Sequence, residues 1–470
     1  MSKLSAIKQL FSNMRYFIAN CMSHNQLRTE AIKMNRYRGG KIIPVCLLMV
    51  VAAGVAWAEE NRNEGWRADP NVILAREDSR PGFLWRESQV PDYVLPNPLQ
   101  WEAGDYVEDV EQWREHRMDL LELLRTEMYG RRPGQPDILN FRTVLEDSSA
   151  MNGSATLRIV SIDSRYQGRQ HEFELTLFLP NDVQKPVPVF LLLNNRPYEN
   201  TDPTRENRSE FWPAEEVIGR GYGVAAIQNN SLAPDDTKTF SEGVIRLFEG
   251  ESDAERSGDA WGAVAAWSWG ASRVMDYFLT DDRIDNSRVA LLGHSRGGKA
   301  SLWAGAEDER FALVISNQSG SGGAALSRRR FGEDIKALNR FSHWFNGNFK
   351  KYGDNEDQLP FDQHFVISLI APRAVYIGSA DRDLWADPRG EYLGLVHASP
   401  VYSLWNHKPM SCDRMPPLDT QVIHGPRAYH VRSGSHNLTL EDWNYYMDFA
   451  DTLWPTRNKT DEIQRQDYYR

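Results

Sequence analysis

The sequence predicts a doubly wound α/β fold: a mostly parallel sheet sandwiched by helices, with antiparallel strands along its N-terminal edge. Three observations carry that expectation. The runs at 187–193, 222–227, 289–292, 313–315 and 374–377 are short and almost continuously apolar, as in strands buried on both faces of a parallel sheet. Helical stretches at 261–277, 299–306 and 442–454 lie between or after them, so strand and helix alternate. Upstream, the pattern between 140 and 180 alternates apolar with polar, as in Ala155-Thr-Leu-Arg-Ile-Val and His171-Glu-Phe-Glu-Leu-Thr-Leu-Phe-Leu. That period belongs to half-buried antiparallel strands.

In chain order, the first element is an address. The apolar run 42–55 holds fourteen residues, interrupted by Pro44, whereas a membrane span needs about 20. Arg36, Arg38 and Lys41 precede it and Ala56-Trp57-Ala58 follows, the layout of a secretory signal peptide. The competing readings are an uncleaved anchor and a buried helix. Met34 would make a conventional signal start. Residues 1–58 are thus expected to be a leader, and the mature protein periplasmic or secreted with no membrane segment. Cleavage after Ala58 leaves 412 residues and, with eight basic and one acidic residue gone, shifts the net charge from −11 to −18. Cys21 and Cys46 leave with it, and Cys412 remains without an internal disulfide partner.

The polar, Pro-rich stretch 59–100 reads as an extended lead-in that wraps the surface. Residues 109–128 have helical spacing through Val110, Trp113, Met118, Leu121, Leu124 and Met128. In the last helix Trp443, Met447, Ala450 and Trp454 share one face. No repeat or low-complexity linker divides 59–470, which is expected to be one domain and a monomer. With 54 basic against 65 acidic residues, a nucleic-acid partner is excluded, because phosphate binding needs a basic surface. The three Cys show no metal-ligand spacing.

The chemistry begins at Arg288-Val-Ala-Leu-Leu-Gly-His-Ser-Arg-Gly-Gly-Lys, which carries Gly293-x-Ser295-x-Gly297 between a strand and a helix. Such an elbow exposes the serine hydroxyl above the sheet of an α/β-hydrolase fold, and only small residues two places away let strand and helix approach. The helix start offers free N–H groups to an oxyanion. The alternative for Ser295 is a buried turn serine that caps the helix. A serine nucleophile needs a base, and on this fold acid and His follow it in that order. Of His424, His430 and His436, His436 lies in the loop before the last helix, and His430 falls within a strand, as a core or hydrogen-bonded residue. The acid is sought in Gly378-Ser-Ala-Asp381-Arg-Asp383-Leu-Trp-Ala-Asp387-Pro. Asp387 precedes a proline and suits a helix cap, Asp381 suits a turn, and Asp383 is the preferred triad acid.

These motifs resemble the glucuronoyl esterases, carbohydrate esterase family 15, of bacterial type. The likeness runs through Asp259-Ala-Trp-Gly-Ala, Ala266-Trp-Ser-Trp-Gly, Arg273-Val-Met-Asp-Tyr and Gly293-His-Ser-Arg-Gly-Gly-Lys. It continues in Ala304-Gly-Ala-Glu-Asp-Glu-Arg-Phe, Ser319-Gly-Ser-Gly-Gly-Ala-Ala-Leu-Ser-Arg-Arg, His343-Trp-Phe, Asp362-Gln-His and Trp385-Ala-Asp-Pro. The resemblance implies hydrolysis of the ester between (4-O-methyl)glucuronic acid on xylan and lignin alcohols, with glucuronic acid esters and glucuronoxylan as partners and no metal or organic cofactor. It implies Ser295 as nucleophile, His436 as base and Arg296 as oxyanion-stabilising arginine. Lys299, Glu333 and Trp385 would contact the sugar. One departure stands out: where many members carry Glu-Ser-Gly, this chain has Gln318-Ser319-Gly320. An amide cannot stabilise an imidazolium as a carboxylate can, which sends the acid to Asp383, as in some bacterial members. Gln318 then binds substrate or serves as a structural amide. Ser321 stands where many bacterial members have Cys. The rival readings are an exported acetyl-xylan or short-acyl esterase and a noncatalytic glucuronoxylan-binding protein on the same fold.

Overall fold

The computed structural model describes residues 65–455 apart from 102–103, 184–185, 252–254 and 412–413. The expected leader and cleavage site, with Cys21, Cys46 and Cys412, lie outside the described residues. The strands are β1 (Ile138–Asp147), β2 (Ala155–Tyr166), β3 (Arg169–Pro180), β4 (Val187–Asn194), β5 (Gly223–Gln228), β6 (Ile284–His294), β7 (Leu313–Asn317), β8 (Ala374–Ala380), β9 (Val422–His424) and β10 (Arg427–Arg432). They form one sheet in the order β1-β2-β3-β5-β4-β6-β7-β8-β10-β9. Pairing is parallel from β5 through β10 and antiparallel at both edges, among β1, β2, β3 and β5 and again between β10 and β9.

The register explains why the central strands read as unbroken apolar runs. Leu191 pairs with Leu291, Leu291 with Val314 and Val314 with Val375, a row that faces one core. One residue on, Leu192, Leu292, Ile315, Tyr376 and Ala428 form a second row facing another core on the opposite side. Strand side chains alternate between faces, and here both faces are covered. The first core is closed by α2 (Val110–Leu124), α3 (Ala263–Phe278), α4 (Arg296–Glu307) and α5 (Pro388–Tyr402), the second largely by α6 (Leu440–Leu453). In α3 every residue except Asp276 is buried, which accounts for its all-round apolar character. The six parallel strands deliver their C-terminal ends to one side, where the loops after β6, β7, β8 and β10 carry the candidate residues.

Two elements differ from expectation. The lead-in is not wholly extended, since Pro70–Ser79 forms α1, capped by the Asp69 carboxylate on Asn71 N–H at 2.7 Å. The start signal, Asp followed by Pro, sits in a stretch with no buried helical face, so periodicity cannot reveal it. The strap around α1 packs Trp66, Val72, Ile73, Phe83 and Val90 around Trp85, Phe331 and Leu384, a small cluster that Trp66 joins to the first core. Strands β2 and β3 are also more deeply buried than half, because the C-terminal part of β3 is covered on both faces. No helix among the described residues is long and apolar enough to cross a membrane.

Candidate active site

Ser295 occupies the turn between β6 and α4 with φ 56° and ψ −126°. A left-handed φ at a non-glycine residue costs about 1–3 kcal/mol and has to be held by its surroundings. Here the Ser295 N–H donates to Asn317 O at 2.8 Å, while Ser295 O accepts from Gly298 N–H at 2.8 Å and Lys299 N–H at 3.1 Å. Gly293 and Gly297 make the turn possible: a Cβ on Gly293 would collide with Gly297 O, and one on Gly297 would meet Leu193 O. The N–H groups of Arg296 and Gly297, the first two of α4, precede any intrahelical acceptor and follow the serine directly.

His436 lies in the loop between β10 and α6. Its Nδ1 is 2.6 Å from Asp383 Oδ2, with the His side chain 37% and the Asp side chain 3% exposed. The His436 ring packs against His294, the residue before Ser295, at 4.4 Å between centroids. His294 is fully buried with Nδ1 2.6 Å from Asn317 Oδ1, and burial, then the neighbouring His436, push its pKa well below the ordinary value. It therefore stays neutral beside His436.

The three carboxylates of the β8–α5 loop separate by partner. Asp383 meets His436. Asp381 accepts the Gly434 N–H at 2.7 Å and so ties the two loops together. Asp387 caps α5 through Gly390 N–H at 2.9 Å and pairs with Arg329 at 2.7 Å. Gln318 is buried and clamps the backbone of Asn437, donating to its carbonyl at 2.8 Å and accepting its N–H at 3.0 Å. Its amide supports the His436 loop, which fits the structural-amide alternative for this residue. Arg432 completes that loop's support, donating to Ser433 O, Ser435 O and Asn437 O at 3.0, 3.4 and 2.6 Å. Asp442 in turn holds Arg432 at 2.7 Å and His430 at 2.9 Å. Burial works against the Asp442 charge, yet the His430 bond and the Arg432 charge keep its pKa below the usual range.

On the other side of Ser295, Arg296 pairs with Asp235 and donates to Asn195 O at 3.0 Å. Lys299 is buried, with Nζ on Ser319 O at 2.7 Å, on Ser321 O, and 3.5 Å from Glu333. Burial lowers the Lys299 pKa, and Glu333 opposes that shift. Glu333 also accepts the Trp385 indole N–H at 3.1 Å, so Lys299, Glu333 and Trp385 form one connected wall. The strap backs it: the Arg80 guanidinium lies 4.1 Å from the Trp385 ring centroid and Phe83 packs edge-on at 4.9 Å. Among the described residues no three His, Cys, Asp or Glu side chains are grouped to hold a metal ion.

Sequence reasoning missed Glu391, which lies beneath the site on α5. Its carboxylate accepts from Ser379 Oγ at 2.6 Å and Gly320 N–H at 3.0 Å. Burial, with Asp383 adding to it, raises its pKa to about 8. A raised carboxyl pKa means that the folded chain keeps a proton that the unfolded chain releases above its own pKa near 4.5. Stability from this group is therefore intact at low pH and is lost as pH rises through the folded pKa, the slope being about 1.4 kcal/mol per pH unit. Glu391→Gln keeps a neutral, similarly shaped partner for Ser379 and Gly320. Its Tm is expected to fall less than that of the unaltered protein between about pH 5 and 8. Parallel melting curves across that range would show that Glu391 is not the source.

The family described as glucuronyl esterase, fungi, matches residues 162–405. The chain is 39% identical over 415 residues to a carbohydrate esterase of an unknown prokaryotic organism, covering 82% of this chain and 94% of that one. It is 27% identical over 349 residues to a 4-O-methyl-glucuronoyl methylesterase of Schizophyllum commune, covering 71% and 78% respectively. Among solved structures it is similar to a glucuronoyl esterase from Solibacter usitatus, with a TM-score of 0.73 and 40% identity over 78% of this chain and 100% of that one.

Proposed function

The chain belongs to the glucuronoyl esterases, a family of carboxylic ester hydrolases, and on that premise we propose that it cleaves (4-O-methyl)glucuronic acid esters of the lignin–glucuronoxylan type through Ser295, His436 and Asp383. The observation that carries this reading is the 2.6 Å contact of His436 with Asp383, beside the left-handed turn at Ser295. Asp383 holds His436 with its proton on Nδ1 and its free lone pair on Nε2. The imidazole takes the Ser295 proton as the hydroxyl oxygen attacks the ester carbonyl. Backbone N–H groups at the start of α4, with Arg296, receive the oxyanion; one such donor is typically worth about 3–4 kcal/mol. His436 then protonates the departing alcohol, and water repeats the sequence on the glucuronoyl-enzyme.

Lys299, Glu333 and Trp385 are read as the wall that meets the uronate sugar, and Gln318 as support for the His436 loop. We read 59–470 as one exported, monomeric esterase domain; the signal-peptide pattern of 1–58 supports export. The pocket's selectivity is open to a direct test. Benzyl glucuronate is expected to be turned over at a kcat/KM at least about 100-fold above that for acetylated xylan, because a site built on polar contacts loses them with a small acyl group. A preference for acetate would sink the reading and favour the short-acyl esterase. Tight glucuronoxylan binding with no hydrolysis at all would favour a binding protein.

A further inference from the structure

We propose that Asp235 is the positioning residue for Arg296, holding the guanidinium ready beside Ser295; the inference rests on the reading of Arg296 given above. Asp235 lies in the excursion between β5 and α3, 61 residues before the arginine it meets. One carboxylate oxygen, Oδ2, pairs with Arg296 Nε. The other, Oδ1, accepts from His343 Nε2 at 2.8 Å and from the Trp344 indole N–H at 2.7 Å. The backbone N–H of Asp235 donates to Asn230 Oδ1 at 3.1 Å, so the carboxylate is anchored from both sides.

The partners are themselves fixed. His343 O and Trp344 O accept from Ala263 N–H at 2.8 Å and Val264 N–H at 3.1 Å, at the start of the buried helix α3. Phe341 stacks on Trp344 at 4.2 Å with the rings nearly parallel, and Lys299 Nζ lies 5.6 Å from the Trp344 ring centroid. Burial opposes the Asp235 charge, but the His343 bond, the Arg296 charge and the Trp344 bond hold its pKa below the usual range. The group facing the guanidinium is thus an anion.

This arrangement settles a problem that a long side chain poses for catalysis. A free arginine carries about 2 kcal/mol of rotamer entropy, and a donor that must be ordered during the reaction contributes less than one already in place. With the ion pair to Asp235 on one side and Nη2 on Asn195 O on the other, the guanidinium is held from two directions. Nη1 has no protein partner among the described residues. Through Trp344, which borders Lys299, Asp235 also connects Arg296 to the wall of Lys299, Glu333 and Trp385.

The test is a double-mutant cycle on benzyl glucuronate. Asp235→Asn keeps an acceptor for His343 and Trp344 but sets an amide against the guanidinium. It is expected to lower kcat about 10- to 100-fold, somewhat less than loss of an oxyanion donor, while KM changes less than about three-fold and Tm stays within about 2 °C. In an Arg296→Ala background the same change should cost less than about two-fold, since nothing is left to position. An equal loss in both backgrounds, or an unchanged kcat for Asp235→Asn, would overturn the proposal. If Arg296→Ala itself keeps full kcat, the reading of Arg296 falls and this inference with it, a result distinct from the other two.

Discussion

Ser295→Ala is expected to lower kcat on benzyl glucuronate by about 10⁵- to 10⁶-fold, with KM little changed and the Tm retained. The size follows from the proposed role of Ser295 Oγ as the atom that forms the acyl-enzyme; knockouts of a serine nucleophile in such a unit reach roughly 10⁶. The selectivity of the effect follows from the turn. Ser295 sits at φ 56°, and alanine bears the same backbone strain as serine, so the change neither relieves nor adds to it. The backbone bonds to Asn317, Gly298 and Lys299 involve no side-chain atom of Ser295 and persist. Residual activity above the uncatalysed rate should remain, carried by the helix N–H groups and Arg296. Steady-state kinetics beside a melting curve decide the matter: retention of more than about one hundredth of kcat would remove Ser295 from the chemistry.

Asp383→Asn should cost roughly 10⁴-fold in kcat, the loss typical of an amide replacing a triad carboxylate. An asparagine can present an N–H to His436 Nδ1, which would move the imidazole proton to Nε2, the nitrogen that must accept the serine proton. It would also leave the imidazolium without a counter-charge in a site where the Asp383 side chain is only 3% exposed. The comparison that gives this test its force is Asp381→Asn. Asp381 only accepts one N–H, from Gly434, a task an amide oxygen can perform, so its loss should stay below about ten-fold. Rates for the two variants on methyl and benzyl glucuronate, in the reverse order, would transfer the triad role to Asp381.

The parallel core was legible because its code is local: both faces of β4, β6, β7 and β8 are apolar, and the strands announce themselves as runs. Ser295 was legible for a related reason, since close approach of β6 and α4 demands glycine at fixed spacing. His436 and Asp383 followed from strand order, which places their loops side by side. The choice among Asp381, Asp383 and Asp387 was harder, because it depends on partners 53 residues away for the first two and 58 for the third. The same holds for Asp235, Glu391 and the packing of His294 on His436. None of these lies on a periodic face, and each acquires meaning only when distant loops meet. Gln318 carried two readings in the sequence, substrate binder or structural amide, and its bonds to the backbone of Asn437 became visible only once the loops had met.

The strap around α1 bears on how the enzyme would age. Its apolar cluster of Trp85, Phe331 and Leu384 is distinct from the two cores beside the sheet and meets the first through Trp66, and Leu384 and Trp385 directly follow Asp383 in the chain. Units with few shared contacts open at lower free energy than the whole fold. Local opening here would free Trp385 from Arg80 and Phe83 and slacken the turn that aims Asp383 at His436, while the ten-stranded sheet stays closed. Loss of function on heating and loss of the fold are then separate events. The first is governed by the strap and the turn it packs against, not by the sheet.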